Sequence, residues 1–347
     1  MWILFVIIGI YAFIIAFGIL ELLFFILPVK ILKHIHKSEP IDPPDFYVKS
    51  FVFHIHTEFS YDSLGKPEDI ETARNENAID YVIITDHENL HYKCFENDHT
   101  IVGKEEKITT EKGIMGSLIT VEDLKVVVHP FKKKYIWRLE KTKDLVVEII
   151  DLRDAIILSK YKILWRYIGS LIPKIFLKKR IYRFFAPALT PEVYVKKYFE
   201  QGWKNPVIGG LDHHVKIYVR EVGIRLLIPP YKWSFGMLRN FVFSKSKLET
   251  KKDVIENIKK GNTVISFVDR PSFFFEKENR ILAYLPYENS FCIIYEEGIP
   301  KSTFIGSYAS FEKPKKPSFV IAYSYMFNIK NIYFGVKPIA LSNIILP

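Results

Sequence analysis

The 347-residue sequence predicts an α/β domain, preceded by one membrane-crossing helix and followed by a small β-sandwich-like module. Three observations carry that expectation. Residues 2–29 hold one charged side chain, Glu21, in an otherwise apolar run. Between residues 51 and 214, short apolar runs repeatedly end in His, Asp or Glu, and a helical pattern separates the first two. From Asn262 onward, β-rich runs alternate with Pro, Gly and Asn. A hydrophobic content of 49% and a charged content of 25% describe a globular chain with an extra apolar segment. Its two cysteines, Cys94 and Cys292, are too far apart and too few for a disulfide framework or a thiolate zinc site.

The apolar run 2–29 exceeds the ~20 residues that a helix needs to cross a bilayer core. It has no basic segment before it and no small-x-small cleavage site, so an uncleaved anchor is expected. Lys30, Lys33 and Lys37 follow it, which by the positive-inside rule places the remaining chain on the cytoplasmic side. His34 and His36 belong to this basic flank and have no carboxylate nearby. Residues 30–48 read as flank and linker, with Pro40, Pro43 and Pro44 in an extended stretch from Ser38 to Asp45.

A domain over 49–245 then opens with a strand ending in His54-Ile55-His56. An i, i+2 spacing in a strand turns both imidazoles to one face, where they can meet one metal ion. Asp62 follows in a loop that can fold back towards them. Pro67 starts a helix with Glu68, Asp69 and Glu71 in its first turn, where acids suit the helix dipole. The chain returns through Tyr81–His87, which completes a βαβ unit. Further strand candidates are the runs 101–106, 124–131, 145–151 and 207–214. In α/β barrels, side chains at the C-terminal strand ends do the chemistry. A single His-x-His is usually solvated or satisfied in a core; the ordered recurrence is what gives this one weight.

Taken in order, His54-x-His56 with Asp62, Thr85-Asp86-His87, Gly103-x-Glu105, His129-Pro130 and Asp212-x-His214 resemble the polymerase and histidinol phosphatase (PHP) superfamily of metal-dependent phosphoesterases. The resemblance covers residues 50–215 and implies a distorted (β/α)7 barrel with two or three divalent ions at the strand ends. It implies that His54, His56, Glu105 and Asp212 hold one ion, that Glu105 bridges to a second also held by His129, and that Asp62, His87 and His214 hold a third. Catalytic roles follow for Glu105 and for Asp86, the latter by orienting a ligand histidine. Members with three ions usually carry another histidine between the glutamate and the His-Pro; this chain has none. A one-residue register change would exchange Glu105 for Glu106, and His213 is expected to point away from the cluster.

Histidine and carboxylate ligands together suit Zn²⁺, Mn²⁺ or Fe²⁺. Such ions can activate water for attack on a phosphoester without a Ser or Cys nucleophile. No nucleophile elbow, phosphate-binding loop or dinucleotide fingerprint occurs. The expected substrate is a phosphorylated small molecule or a lipid headgroup, hydrolysed at the membrane surface; a nuclease and a catalytically silent membrane scaffold are the rivals. Nucleic acid is the less favoured partner, because no binding module for it is recognised. The net charge of +10 suits an anionic partner, an anionic membrane surface included. Lys104, Lys132, Lys216 and Arg220 are candidate phosphate contacts by proximity to the motifs. An insertion at 155–186 interleaves aromatics with cations, as an interfacial helix does, although a helical hairpin packed on the barrel has the same pattern. Thr190 is expected to cap a helix that starts at Pro191. Within 246–347, Thr250 caps a helix carrying Val254, Ile255 and Ile258, and the β-rich runs after it are similar to the tails of stand-alone PHP proteins.

Overall fold

A computed structural model describes residues 2–37, 40–221 and 224–347, without the side chains of residues 179–180 and 220–225. Ser38 and Glu39 of the expected linker, and the Arg220 side chain, therefore lie outside the described residues. Helix α1 (Trp2–Ile26) is long and apolar enough to cross a membrane, and its apolar surface is bare over nearly its whole length. Its C-terminal end is the exception. Phe24 is buried, Val336 N donates to Pro28 O at 3.0 Å, and Leu32 N donates to Asn331 O at 3.0 Å. The flank after it is built into sheets. β1 (Lys30–Ile31) and β2 (Ile35–Lys37) each pair with a C-terminal strand, and the His36 ring stacks on Phe304. Among the described residues of the expected flank and linker, 32–34 and 40–46 lie outside strands.

Next come β3 (Tyr47–Ile55), α2 (Pro67–Asn77), β4 (Tyr81–His87), β5 (Thr100–Thr110), β6 (Gly113–Val121), β7 (Leu124–Val128) and β8 (Leu145–Asp151). Four helices follow: α3 (Leu152–Leu158), α4 (Lys160–Gly169), α5 (Pro173–Leu177) and α6 (Pro191–Glu200). They lead to β9 (Val207–Gly210). Pro67 at N1 and the Asp69 carboxylate, which accepts from Lys66 N, start α2 where its sequence suggests. Thr190 does not cap α6. It sits at φ 44° with no side-chain hydrogen bond to the helix, and Pro191 alone marks the start.

Strands β3, β4 and β5 are parallel, as are β7, β8 and β9. Between them β5, β6 and β7 form an antiparallel meander in place of βα units. The β3–β9 ladder is continuous in sequence order. Past β9, Leu211 N donates to Phe53 O, His213 N to His54 O and His56 N to His213 O, at 2.9, 3.2 and 3.1 Å. These three bonds and one parallel bridge, not a full ladder, bring the end of β9 beside β3. The arrangement is mixed α/β, and the C-terminal strand ends converge on one place.

The remaining elements are β10 (Ile217–Glu221), β11 (Ile224–Ile228), α7 (Tyr231–Met237), β12 (Arg239–Ser244), α8 (Lys251–Lys259), β13 (Thr263–Ser266), β14 (Phe273–Lys277), β15 (Arg280–Tyr284) and β16 (Ser290–Glu296). They continue with β17 (Ile299–Ile305), β18 (Tyr308–Glu312), β19 (Ser318–Ser324), β20 (Phe327–Ile329), β21 (Ile332–Phe334) and β22 (Lys337–Ser342). The far edge of β3 pairs with β12, and the sheet runs on through β13, β22, β19, β16 and β17 to β2. The C-terminal strands thus extend the sheet that carries the site. A second sheet, β14–β15–β18, shares with it a core that includes Ile281, Phe311, Ile294 and Val320, so two layers pack as a sandwich does. Helix α8 has the expected capping box, Thr250 with Asp253, and buries Val254, Ile255 and Ile258.

Lys337, at the start of β22, is buried, donates to Gly335 O at 2.9 Å and stands over the Phe184 ring. Burial, helped by Arg183 and Arg166, lowers its pKa from 10.5 to about 7. The folded state therefore disfavours a proton that the unfolded chain holds, and this cost is relieved as pH rises from 7 to 10.5. Chemical denaturation of the full chain should show stability rising over that range relative to Lys337→Met, which should be the more stable variant at pH 7. Parallel pH profiles for the two proteins would contradict the assignment.

Candidate metal centre

The site is assembled where strands end and the backbone turns sharply. At His54 the β3–β4 register shifts, and His54 itself has φ 65°. His129, just after β7, has φ 52°, and Asp212, just after β9, has φ 44°. Non-glycine residues held in this region cost roughly 1–3 kcal/mol each and cluster at functional sites. The bulge places His54 and His56 by a different route from simple alternation. Phe51 and Phe53 enter one core cluster while Val52 and Ile55 enter another, and both imidazoles turn into the same centre with ring centroids 5.1 Å apart.

Glu105 on β5 is the hub. Its Oε2 lies 3.4 Å from Nε2 of both His54 and His56 and 3.2 Å from His87 Nδ1. Its Oε1 accepts from Ser117 Oγ at 2.6 Å and lies 3.7 Å from His129 Nε2. Asp212 Oδ1 lies 3.7 and 3.6 Å from the same two Nε2 atoms, and its Oδ2 is 3.9 Å from His129 Nε2. Asp62 reaches across to His87 Nε2 at 3.6 Å and His214 Nε2 at 3.0 Å. Among the described residues, donor atoms therefore converge in overlapping groups: His56, Asp62, His87 and His214; His54, Glu105 and His129; His54, His56 and Asp212; and His129, Asp151, Asp154 and Asp212.

The histidines are turned for ligation by what holds their other nitrogens. Ser60 Oγ donates to Asp86 at 3.0 Å, so it can only accept from His56 Nδ1, 3.1 Å away. That puts the His56 proton on Nδ1 and leaves a bare lone pair on Nε2, which is buried without a hydrogen-bond partner. His54 Nδ1 faces Glu148 Oε1 at 2.7 Å, His129 Nδ1 lies 2.6 Å from Asp151 Oδ2, and His214 Nδ1 donates to Asp212 O at 2.9 Å. In each case Nε2 is left for the centre, the arrangement that carboxylates and carbonyls impose on ligand histidines. Once the imidazoles are neutral, as ligation requires, lone pairs of histidine and carboxylate that face one another at 3–4 Å are repulsive unless cations lie between them, so this donor set fits divalent ions.

Electrostatics follow the same division. Burial lowers the pKa of His54, but the Glu148 and Glu105 carboxylates outweigh it and hold it well above 6.5. For His129, Asp151 and Asp154 do the same. His56 has no such carboxylate on its far side; burial and the surrounding imidazoles push it well below 6.5. Burial opposes the charge on Glu105, and the histidines around it win and keep it ionised.

The structure separates the remaining expected residues. Glu106 points outward to Lys104, 2.7 Å away, and the strand register keeps Glu105 inside. Asp86 belongs to none of the groups; it accepts from Thr57 N, Thr57 Oγ1 and Ser60 Oγ and reaches His56 only through Ser60. His213 turns away, its Nε2 donating to Pro229 O at 3.2 Å. Lys132 pairs with Asp154, and Lys216 is 3.6 Å from Asp62 Oδ2. Four residues given no role in the sequence reading belong here: Glu148, Asp151, Asp154 and Arg153, whose Nη1 donates to Asp212 Oδ2 at 2.9 Å. A glutamate inside the apolar run Val146-Val147-Glu148-Ile149 was the signal for the first, because a charge at a buried strand position needs a partner.

No protein-family model matches the chain, and no curated protein does. Among solved structures, a two-domain protein from Bacteroides vulgatus ATCC 8482, containing a predicted PHP-like metal-dependent phosphoesterase, is similar over 85% of this chain and 96% of its own, with 13% sequence identity and a TM-score of 0.31. At that distance the likeness carries no argument.

Glu148 fits only because residue 210 is glycine: a Cβ there would fall 1.6 Å from Glu148 Oε1. Losing the partner of a ligand histidine costs about 10–100-fold in metal affinity. Calorimetric titration with Mn²⁺ or Zn²⁺ should show a loss of that size for Glu148→Gln, and a loss in the same direction for Gly210→Ala. Unchanged affinity in both would separate Glu148 from the centre.

Proposed function

We propose that this chain is a metal-dependent phosphoesterase of the PHP type, built on a variant of the (β/α)7 barrel and held by α1 in a membrane with its soluble part on the cytoplasmic side. One observation carries the reading. Five histidines and three carboxylates from four strand ends, the middle of β5 and one loop face a common centre, and four of the five imidazoles have their outer nitrogens engaged so that Nε2 turns inward. His54, His56, Glu105 and Asp212 would hold one ion, Glu105 and His129 a second, and Asp62, His87 and His214 a third. Zn²⁺, Mn²⁺ or Fe²⁺ bound there would supply a Lewis acid for the phosphoryl oxygens and an acidified water.

The chain's own residues do the rest. Glu105 and Asp212 stay ionised and fix the charge of the centre. Through Ser60, Asp86 keeps the His56 proton on Nδ1, away from the centre. Arg153 stands at the rim, half-exposed beside Asp212, with donors free for an anionic substrate oxygen. The seven-strand order β3–β9 and the bonds between residues 211–213 and β3 support the barrel reading. A continuous apolar α1 followed by lysines supports the membrane reading.

The test is metal content and turnover of the full chain on phosphomonoesters and phosphodiesters. More than one divalent ion per chain and turnover are expected in the wild type, and a loss of both is expected in His56→Ala and Asp212→Ala. A metal-loaded protein inert on every ester would favour a scaffold over an enzyme.

A further inference from the structure

A cavity of about 440 Å³ opens directly off the metal centre, within the size range of small-molecule sites. Its polar end is Arg153, Asp212 and His214. The rest of the lining is mostly apolar, with Ile156, Ile163 and Tyr167 of α3 and α4 on one side and Trp233 and Met237 of α7 on the other, and Lys174 and Lys216 are the cations among it. A site for a small, uniformly polar phosphate ester would not place a mostly apolar cavity of this size against its own ligands.

The walls of the cavity are tied to the anchor. Phe24 of α1 packs on Phe184 and Trp165, with ring centroids 5.3 and 6.2 Å apart, and Arg166 donates to Leu27 O at 3.0 Å. Gly169 on α4 is open to this contact, since a Cβ there would fall 2.8 Å from Phe24. The outer surface of the same insertion exposes Leu164, Ile168, Leu171, Ile175 and Phe176, and Trp233 is exposed on the far wall. An apolar surface thus runs from the membrane-crossing helix to the cavity, with cations among it, as at a bilayer interface.

We infer that the substrate is an amphiphilic phosphoester drawn from the bilayer in which α1 sits: its hydrocarbon chain enters the cavity between α4 and α7, and its phosphoryl group meets Arg153 and the metal centre. This rests on the phosphoesterase reading and adds to it the class of substrate. It also explains why the insertion is both apolar and basic.

The experiment uses the full chain in phosphatidylcholine nanodiscs with Mn²⁺, and kcat/KM is measured for methyl, butyl and hexyl phosphate and for their methyl diesters. Burying one methylene is worth about fourfold, so a gain of at least about 100-fold from methyl to hexyl is expected. Ile163→Trp and Met237→Trp fill the cavity, and the hexyl-to-methyl ratio, internal to each sample, should fall at least about tenfold in both. Quenching of Trp233 fluorescence by a lysophosphatidic acid with a brominated chain gives a readout without turnover. It should be seen in the wild type and be reduced in Trp233→Phe.

A ratio near one in the wild type, with the esters still hydrolysed, overturns the cavity assignment and leaves the phosphoesterase standing. A ratio that survives in both filled variants places the preference in bilayer partition and overturns it too, as does quenching unchanged in Trp233→Phe. No turnover on any ester overturns both readings.

Discussion

Charge taken out of water must be compensated where it sits, and here the group in question is Glu105. It is 3% exposed, yet surrounded by four imidazoles within 3.7 Å. Removing one member of a buried ionic network costs about 3–5 kcal/mol, because the remaining charge is left without a partner. Asp212, Glu148 and Asp151 are buried under the same constraint, and each faces a histidine. The pairings with Glu148 and Asp151 fix which nitrogen of His54 and His129 faces the centre, as Ser60 and the Asp212 carbonyl do for His56 and His214. Ligand geometry and charge compensation are here the same set of contacts.

The rest of the fold holds strand ends against the cost of that cluster. His54, His129 and Asp212 all have positive φ, so their strands must be pinned before they turn. β3 is pinned on both sides, by β4 and by β12. β9 is short, and its free edge is satisfied by a side chain: Asn240 accepts from Gly209 N and donates to Gly209 O, both at 2.8 Å, as a neighbouring strand would. Since Asn240 belongs to β12, the C-terminal strands hold the site as well as extend its sheet. Helix α1 is fastened in a similar way, ending against Val336 and the segment that carries Phe184.

What could be read from the sequence was mainly what is local. Apolar runs ending in His, Asp or Glu pointed to β3, β4, β5, β7, β8 and β9 and, with Asp62 in the loop after β3, to eight of the residues gathered at the centre, because strand ends are visible as a change of polarity. Pro67, Pro191 and Thr250 located helix starts for the same reason. What was missed depends on partners distant in sequence. β6 contains Gly113 and Gly116 and is stabilised by its meander, not by its own pattern. The bulge at His54 follows from the β3–β4 register, which a single strand does not reveal. Asp151 acts on two partners at once, since Oδ1 accepts from Asp154 N as a helix cap while Oδ2 faces His129. The flank 30–37 looked like a juxtamembrane linker because its strands exist only by pairing with residues 303–305 and 332–333.

The central claim is that divalent ions sit on both sides of the Glu105 carboxylate. Anomalous diffraction from crystals of the full chain grown with Mn²⁺ tests it most directly. The account predicts at least two anomalous peaks: one among His54, His56, Glu105 and Asp212, and another on the far side of Glu105 towards His129. Well-ordered side chains at these positions with no anomalous peak among them would contradict it.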